Sequence, residues 1–264
     1  MVYVQELTAN KLKVRIYDSR PAMGAAAAAD VAAGIRSLLE KQDYVNVVFA
    51  AAPSQNEFLE ALSATETIDW SRVNAFHMDE YIGLPTNAPQ SFGQFLKERI
   101  FERVAFNTVF YINGNANDLH AECARYSALL KQYPPDVICM GIGENGHIAF
   151  NDPHVADFDD PELVKIVDVD ETSRMQQVHD GCFDTFAEVP LTAITLTIPA
   201  LFSGRIIFCV VPGSYKAVAV SHMLHDKVNE KTPATILRMH EHATIYLDKE
   251  SASKILPASN LNFR

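Results

Sequence analysis

Asp79, Glu80, His147 and Asp152 are side chains able to move protons near neutral pH, and each follows a run of strand character. His147 lies in VICMGIGENGHIAFNDP (Val137 to Pro153), where apolar residues run to Met140 and the chain breaks at Gly141 and Gly143. Glu144, Asn145, His147 and Asp152 then follow within nine residues. Strands that end in glycines place the next side chains at the carboxyl edge of a sheet, where open α/β folds bind ligands. A histidine with the amide of Asn145 and the carboxylate of Asp152 close by has the parts of an acid–base site, and the stretch reads as an active-site loop. Asp79 and Glu80 end another apolar run, Val73 to Met78, before the turn Gly83-Leu84-Pro85. They are either a solvated pair of turn carboxylates or a base lifted to the same sheet edge. Neighbours in extended chain face opposite ways, so only one of the two enters a cleft, and Asp79 is the choice.

Two further loops join strand to helix. In Ala50-Ala51-Ala52-Pro53-Ser54-Gln55 the backbone N–H groups at the helix start and the Ser54 hydroxyl are candidates for holding an anion. The loop has no glycine, and Ser54 is equally an ordinary N-cap. In Pro212-Gly213-Ser214-Tyr215-Lys216, Lys216 is expected one turn into its helix, reaching an anion at the sheet edge or lying solvated on the surface. Gly141 to Gly146 matches G-x-G-x-x-G literally, but a dinucleotide site requires the motif to open a helix, whereas here the chain runs into Pro153. His147, Asp152 and His154 match no zinc spacing, so no metal is expected.

These loops need a scaffold. Strands are expected at Lys13 to Tyr17, Asn46 to Ala52, Val73 to Met78, Thr108 to Ile112, Asp136 to Met140, Leu163 to Val169, Arg205 to Val211 and Ala243 to Leu247. Helices are expected at Ala22 to Lys41, Asn56 to Leu62, Ser91 to Phe101, Asp118 to Gln132, from Tyr215, and from Pro233 to Met239. Alternation of this kind predicts an α/β fold: an open, mostly parallel, doubly wound sheet with helices on both faces. Glu171 to Glu188 is polar with little periodicity and reads as a lid or binding loop, and Leu191 to Leu201 is mixed in character. Without a repeat, linker or composition break, residues 1–264 read as a single domain.

Composition narrows the partners. With 48% hydrophobic residues in 264, the chain can bury a substantial core. The charge of −11, from 22 Lys and Arg against 33 Asp and Glu, argues against nucleic acid. Four cysteines without a C-x-x-C, two of them inside apolar runs, point to a reducing compartment. With no signal-peptide h-region and no segment approaching a membrane span, the expectation is a cytoplasmic chain without membrane contact. The sequence allows a homo-oligomer.

Taken together and in order, the loops resemble the glucosamine-6-phosphate deaminase (isomerase) family, whose wider superfamily includes 6-phosphogluconolactonases. FHMDEYIGLP (Phe76 to Pro85), GIGENGHIAFNDP (Gly141 to Pro153) and GSYKA (Gly213 to Ala217) are similar to that family's aspartate, histidine and lysine blocks. The resemblance implies Asp79 as the enolisation base, His147 as the ring-opening acid/base and Asp152 as its carboxylate partner. Lys216 and Ser54 would hold the phosphate, with Ala51, Ala52, Gln55 and Gly143 around the substrate. It implies conversion of glucosamine 6-phosphate, or a closely related hexosamine phosphate, to the ketose phosphate and ammonia, with no cofactor. Lactone hydrolysis and non-catalytic sugar-phosphate sensing are the alternatives. The chain departs from the family at Asn145, an aspartate there, and at Asp152, a glutamate there. It also has Ala51-Ala52-Pro53-Ser54 for a Thr-Gly-Gly-Thr type turn, and no phosphate-binding arginine near His179 and Asp180.

Overall fold

Apolar strands that are covered on both sides send alternate residues to opposite faces. The computed structural model, which describes residues 3–85 and 87–256, shows this directly. Val45, Val47 and Phe49 of strand β3 (Val45–Phe49) belong to one core and Val48 to the other. In β7 (Val137–Met140), Val137 and Cys139 divide from Ile138 and Met140 in the same way. The first core is closed by helices α1 (Arg20–Leu39), α2 (Asn56–Ser63) and α3 (Phe92–Leu96). The second is closed by α4 (Leu119–Gln132), α6 (Ile198–Phe202) and α7 (Ala217–His225). Helices therefore cover both faces of the sheet.

The sheet has eight strands in the order β1 (Tyr3–Ala9), β2 (Leu12–Tyr17), β11 (Ala243–Asp248), β10 (Ile206–Val211), β7, β3, β4 (Val73–His77), β6 (Thr108–Phe110). All neighbours are parallel except β1 and β2. From β3 the chain builds outward through β4 to β6, and from β7 it builds the opposite way through β10 to β11. The reversal falls between β3 and β7. A crevice opens outside the carboxyl ends of two strands that part in this manner, and those ends are Ala50 to Ala52 and Gly141 to Gly143.

Several elements differ from the sequence expectation. The β1 hairpin was not foreseen; its turn contains Asn10 at φ 54°. The third expected strand does not simply end at Asp79. After His77 the chain leaves the main sheet as β5 (Asp79–Tyr81), which pairs antiparallel with β9 (Thr192–Leu196); β9 in turn pairs with β8 (Val164–Asp168). The helix expected to reach Phe101 continues past α3 as a π-helical turn, Lys97–Phe101.

The expected lid loop is also ordered: it opens as helix α5 (Glu171–His179), capped by the Asp170 side chain on the Thr172 N–H, and closes as a short 3₁₀ turn, Phe186–Glu188. The buried residues of α5 are Ser173, Arg174, Gln176 and Gln177, so burial in this helix follows hydrogen bonding and leaves no apolar stripe to read. Arg174 donates to the Val189 and Phe186 carbonyls and lies over the Phe186 ring.

Helix α1 is long and apolar enough to pass for a membrane span by length and composition, contrary to the expectation that no segment would. Ten of its residues are buried, and it packs on the sheet and on α2. A Cβ on Gly24 would lie 2.8 Å from the backbone of Glu57 and Phe58. Gly24→Ala gains up to about 1 kcal/mol of helix propensity but forces two packed helices apart, which costs roughly 1–3 kcal/mol. A net loss of stability, read as a lower urea midpoint, is the expected outcome; a higher midpoint would contradict the contact.

Candidate active site

The crevice predicted by the strand order is a cleft lined by both strand ends. Ala51, Ala52, Ser54 and Gln55 come from the β3 side, Gly141 and Gly143 from the β7 side, with Asp79, His147, Phe92, Gln176 and Gln177 completing the wall. Asp79 and His147, separated by 68 positions in the chain (147 − 79), thus share one cavity.

Alternation in β5 separates the two strand-end carboxylates. Glu80 turns away and accepts hydrogen bonds from the Tyr81, Phe92 and Gly93 N–H groups at 2.9, 3.1 and 2.9 Å and from the Ser91 hydroxyl at 2.8 Å. It anchors the start of α3. Asp79 faces the cleft, 7% exposed, and no hydrogen bond among the described residues ends on its carboxylate. Burial, reinforced by the charge of Glu80, holds its carboxyl well above the usual range. Such a group holds a proton more readily than an exposed aspartate, which suits it to taking one up and giving it back.

The Asp79 backbone is held by His77, a fully buried residue that sequence reasoning passed over. Its Nε2 accepts from the Ile112 N–H at 2.8 Å, which leaves Nδ1–H to donate to the Asp79 carbonyl at 2.8 Å. Burial lowers its pKa and keeps this neutral tautomer. Its alternation with Asp79 along the strand was the available signal.

His147 folds over Gly143, where a Cβ would stand 2.0 Å from the imidazole Cε1. Behind the ring, Nδ1 meets Asn145 Oδ1 at 2.8 Å, Ser173 Oγ at 2.7 Å and Asp152 Oδ1 at 3.1 Å. Asn145 commits its Nδ2 to Asp152 Oδ1 at 2.9 Å, so its oxygen is what the imidazole meets. The Ser173 hydroxyl donates to Asp152 Oδ1 at 2.5 Å. Three oxygens around one nitrogen place the proton on Nδ1 and leave Nε2 as the acceptor on the cleft side. Asp152 is fully buried. Burial alone would raise its carboxyl, but the attraction of His147 and hydrogen bonds from His147, Asn145 and Ser173 hold it well below the usual range. Its Oδ2 also accepts from the Asp170 N–H at 3.0 Å, tying the histidine loop to the start of α5. Ala149, at φ 47°, is a non-glycine residue in left-handed backbone on the cleft wall, where strain collects around functional groups.

Ser173 was not among the residues singled out, because a serine in a polar stretch carries no pattern. Ser173→Ala is expected to lower kcat by about tenfold with KM little changed, since an outer hydrogen-bonding partner acts through the ring it orients. A change confined to KM would contradict that role.

Two expectations are corrected. Ser54 is not an N-cap; it lies inside the 3₁₀ turn Pro53–Gln55, and its hydroxyl accepts from Gln55 Nε2 at 3.1 Å. Lys216 is neither solvated nor one turn into a helix. It closes the 3₁₀ turn Ser214–Lys216, is 4% exposed, and its Nζ finds no hydrogen-bond partner. His154 stands apart from His147 and Asp152, half-exposed with Nδ1 4.0 Å from Asp170 Oδ2. Among the described residues no group of three histidine, cysteine or acidic side chains is placed to hold a metal.

Residues 18–246 match the family model described as glucosamine-6-phosphate isomerases/6-phosphogluconolactonase. A glucosamine-6-phosphate deaminase of Bacillus cereus (strain B4264) is 37% identical over 186 residues, covering 70% of this chain and 69% of that protein. The Bacillus anthracis (strain CDC 684 / NRRL 3495) deaminase is 38% identical over the same length. Among solved structures, a monomeric glucosamine-6-phosphate deaminase superposes with a TM-score of 0.83 at 28% identity, covering 91% of this chain and 99% of that one. The 6-phosphogluconolactonase of Thermotoga maritima shares the fold, with a TM-score of 0.74 at 20% identity over 90% of this chain and all of that one. With its switch-point cleft, its aspartate and its buttressed histidine, the chain belongs to the glucosamine-6-phosphate isomerase/6-phosphogluconolactonase family.

Proposed function

We propose that the protein isomerises and deaminates a hexosamine: glucosamine 6-phosphate to fructose 6-phosphate and ammonia, or the same reaction on a closely related amino sugar. The observation that carries this reading is one cleft lined by an unpartnered, desolvated Asp79 carboxyl and by a His147 whose Nδ1 is fully engaged. In the ring-opening step His147 Nε2 takes the proton from the C1 hydroxyl as the C1–O5 bond breaks, and O5 is protonated. Asp79 then takes the C2 proton of the open aldose and returns it to C1, passing through an enolamine. Water adds to the resulting C2 imine, and the amine leaves as ammonia while C2 becomes the ketone. The C2-to-C1 transfer needs a group that is basic in one step and acidic in the next, which a carboxyl raised by burial and by Glu80 supplies.

The four free cysteines, three of them buried, support a reducing cytoplasmic setting. The deciding assay is ammonia release from a panel of hexosamines and their 6-phosphates. Release from at least one substrate at enzymatic rates is the expected result. A protein that releases none, but hydrolyses 6-phosphogluconolactone, would transfer the reading to lactone hydrolysis.

A further inference from the structure

Of the four buried side chains of α5, three are spent on the protein itself. Ser173 donates to Asp152 and meets the His147 ring, and Arg174 holds the Val189 and Phe186 carbonyls. Gln176 accepts from the Glu144 N–H at 2.9 Å and reaches Asp180 Oδ2 through Nε2 at 3.4 Å. Gln177 is the fourth. It is 7% exposed, and among the described residues no hydrogen bond ends on its amide. Both its polar atoms stay open to solvent, unlike the sealed Gln55 Oε1, and the residue lines the cleft. A largely buried amide is kept without a protein partner where water or a ligand supplies one.

Gln177 shares the cleft wall with Asp79 and His147, and it also lines the adjoining hollow that contains Arg99 and Cys182. It stands four residues beyond Ser173 on the same face of α5, about 6 Å along the axis. The Ser173 hydroxyl touches the His147 ring, so Gln177 follows one helical turn after that contact. The helix is pinned to the histidine loop by the Asp170 N–H on Asp152 Oδ2 at 3.0 Å, by Ser173 and by Gln176. A side chain on an element anchored this way keeps a fixed position relative to the imidazole. The other amides on the wall are committed, Gln176 at both atoms and Gln55 through Nε2 to the Val210 carbonyl at 3.0 Å and the Ser54 hydroxyl at 3.1 Å.

An amide offers a donor and an acceptor side by side and carries no charge. A phosphate only accepts and an ammonium only donates, so either would leave half of Gln177 unmet. A hydroxyl does both. In an amino sugar held for isomerisation, C1 and C2 lie with Asp79 and His147, O5 takes a proton on ring opening, and C6 carries the ester of a 6-phosphate. The hydroxyls left to be recognised are those on C3 and C4. We infer that Gln177 is a specificity-determining residue whose amide hydrogen-bonds the C3–C4 hydroxyl pair of the bound sugar, so that a sugar lacking one of them binds more weakly. The inference rests on the reading of the cleft as an amino-sugar site.

Binding of 2-amino-2-deoxyglucitol 6-phosphate and of its 3-deoxy and 4-deoxy derivatives is measured by calorimetry; none has the C1 carbonyl needed for turnover. The unaltered protein should bind at least one deoxy compound about tenfold more weakly than the parent polyol, about 1.4 kcal/mol. In Gln177→Met and Gln177→Leu, which give up no hydrogen bond within the protein, that penalty should shrink to within about threefold. Each penalty is a ratio within one protein, so a general loss of affinity in a variant cancels. Equal binding of all three compounds by the unaltered protein overturns the inference, as does a penalty that survives in both variants. Ammonia release from glucosamine 6-phosphate judges the chemistry separately. Release together with a surviving penalty keeps the deaminase reading and removes Gln177 from it. A penalty that depends on Gln177, without ammonia, keeps this contact and removes the deaminase reading. A protein that binds none of the three compounds overturns both.

Discussion

Asp79→Asn should abolish ammonia release, with kcat falling by about 10⁴-fold, the upper end of what one positioned acid–base group contributes. The amide occupies the same volume on the cleft wall but cannot accept the C2 proton. The same substitution should also make the protein more stable. In the folded state the Asp79 carboxyl is raised by burial and by Glu80, and no hydrogen bond compensates. The unfolded chain ionises it near pH ~4. As pH climbs from there to the folded pKa, the native state accumulates a penalty that the unfolded state does not bear, and above the folded pKa the penalty is complete. The stability gained by Asp79→Asn should therefore be full at the alkaline end, about 1–3 kcal/mol, and disappear as pH falls to ~4. Urea unfolding of both proteins at a series of pH values measures it. A variant that is less stable than the parent at pH 8 would show that the carboxylate has a partner and is not a poised base.

Gly143→Ala should cost nearly as much activity as losing the imidazole, about 10²–10⁴-fold in kcat. Gly143 lies outside the left-handed region, so a side chain is permitted by its backbone. The obstacle is His147, whose ring atoms stand 2.0 to 2.4 Å from the position of the new Cβ. The imidazole must swing out, and in doing so it leaves Asn145, Ser173 and Asp152 together. Asp152 would then keep a buried charge with fewer partners, which costs stability as well. An NMR titration of the His147 ring should show the loss of its fixed Nδ1–H tautomer, and ammonia release should fall in parallel. Activity within threefold of the parent would mean that the ring has another working position.

Local pattern sufficed for much of this protein. The alanine-rich run of α1 and the apolar runs of β3, β7 and β10 declare their secondary structure, and their alternation implies the parallel, two-faced sheet that is observed. The glycines after Met140 marked the loop that carries His147, and two-residue alternation was enough to turn Asp79 toward the cleft and Glu80 away.

Tertiary structure alone decided how those residues are supported. The pairing of β5 with β9, across more than 100 positions, carries no short-range signal, because strand partners are chosen by burial on a completed sheet. Helix α5 is built from polar residues that are buried through hydrogen bonds, so no hydrophobic period announces it or the Ser173 contact with His147. Lys216 sits in a motif that suggests a solvated anion grip, yet the fold buries its ammonium beside Asp180 and Glu144. A residue's type and spacing determine what chemistry it can do. Its protonation and its partners depend on the solvent it loses and the charges brought to it from distant parts of the chain.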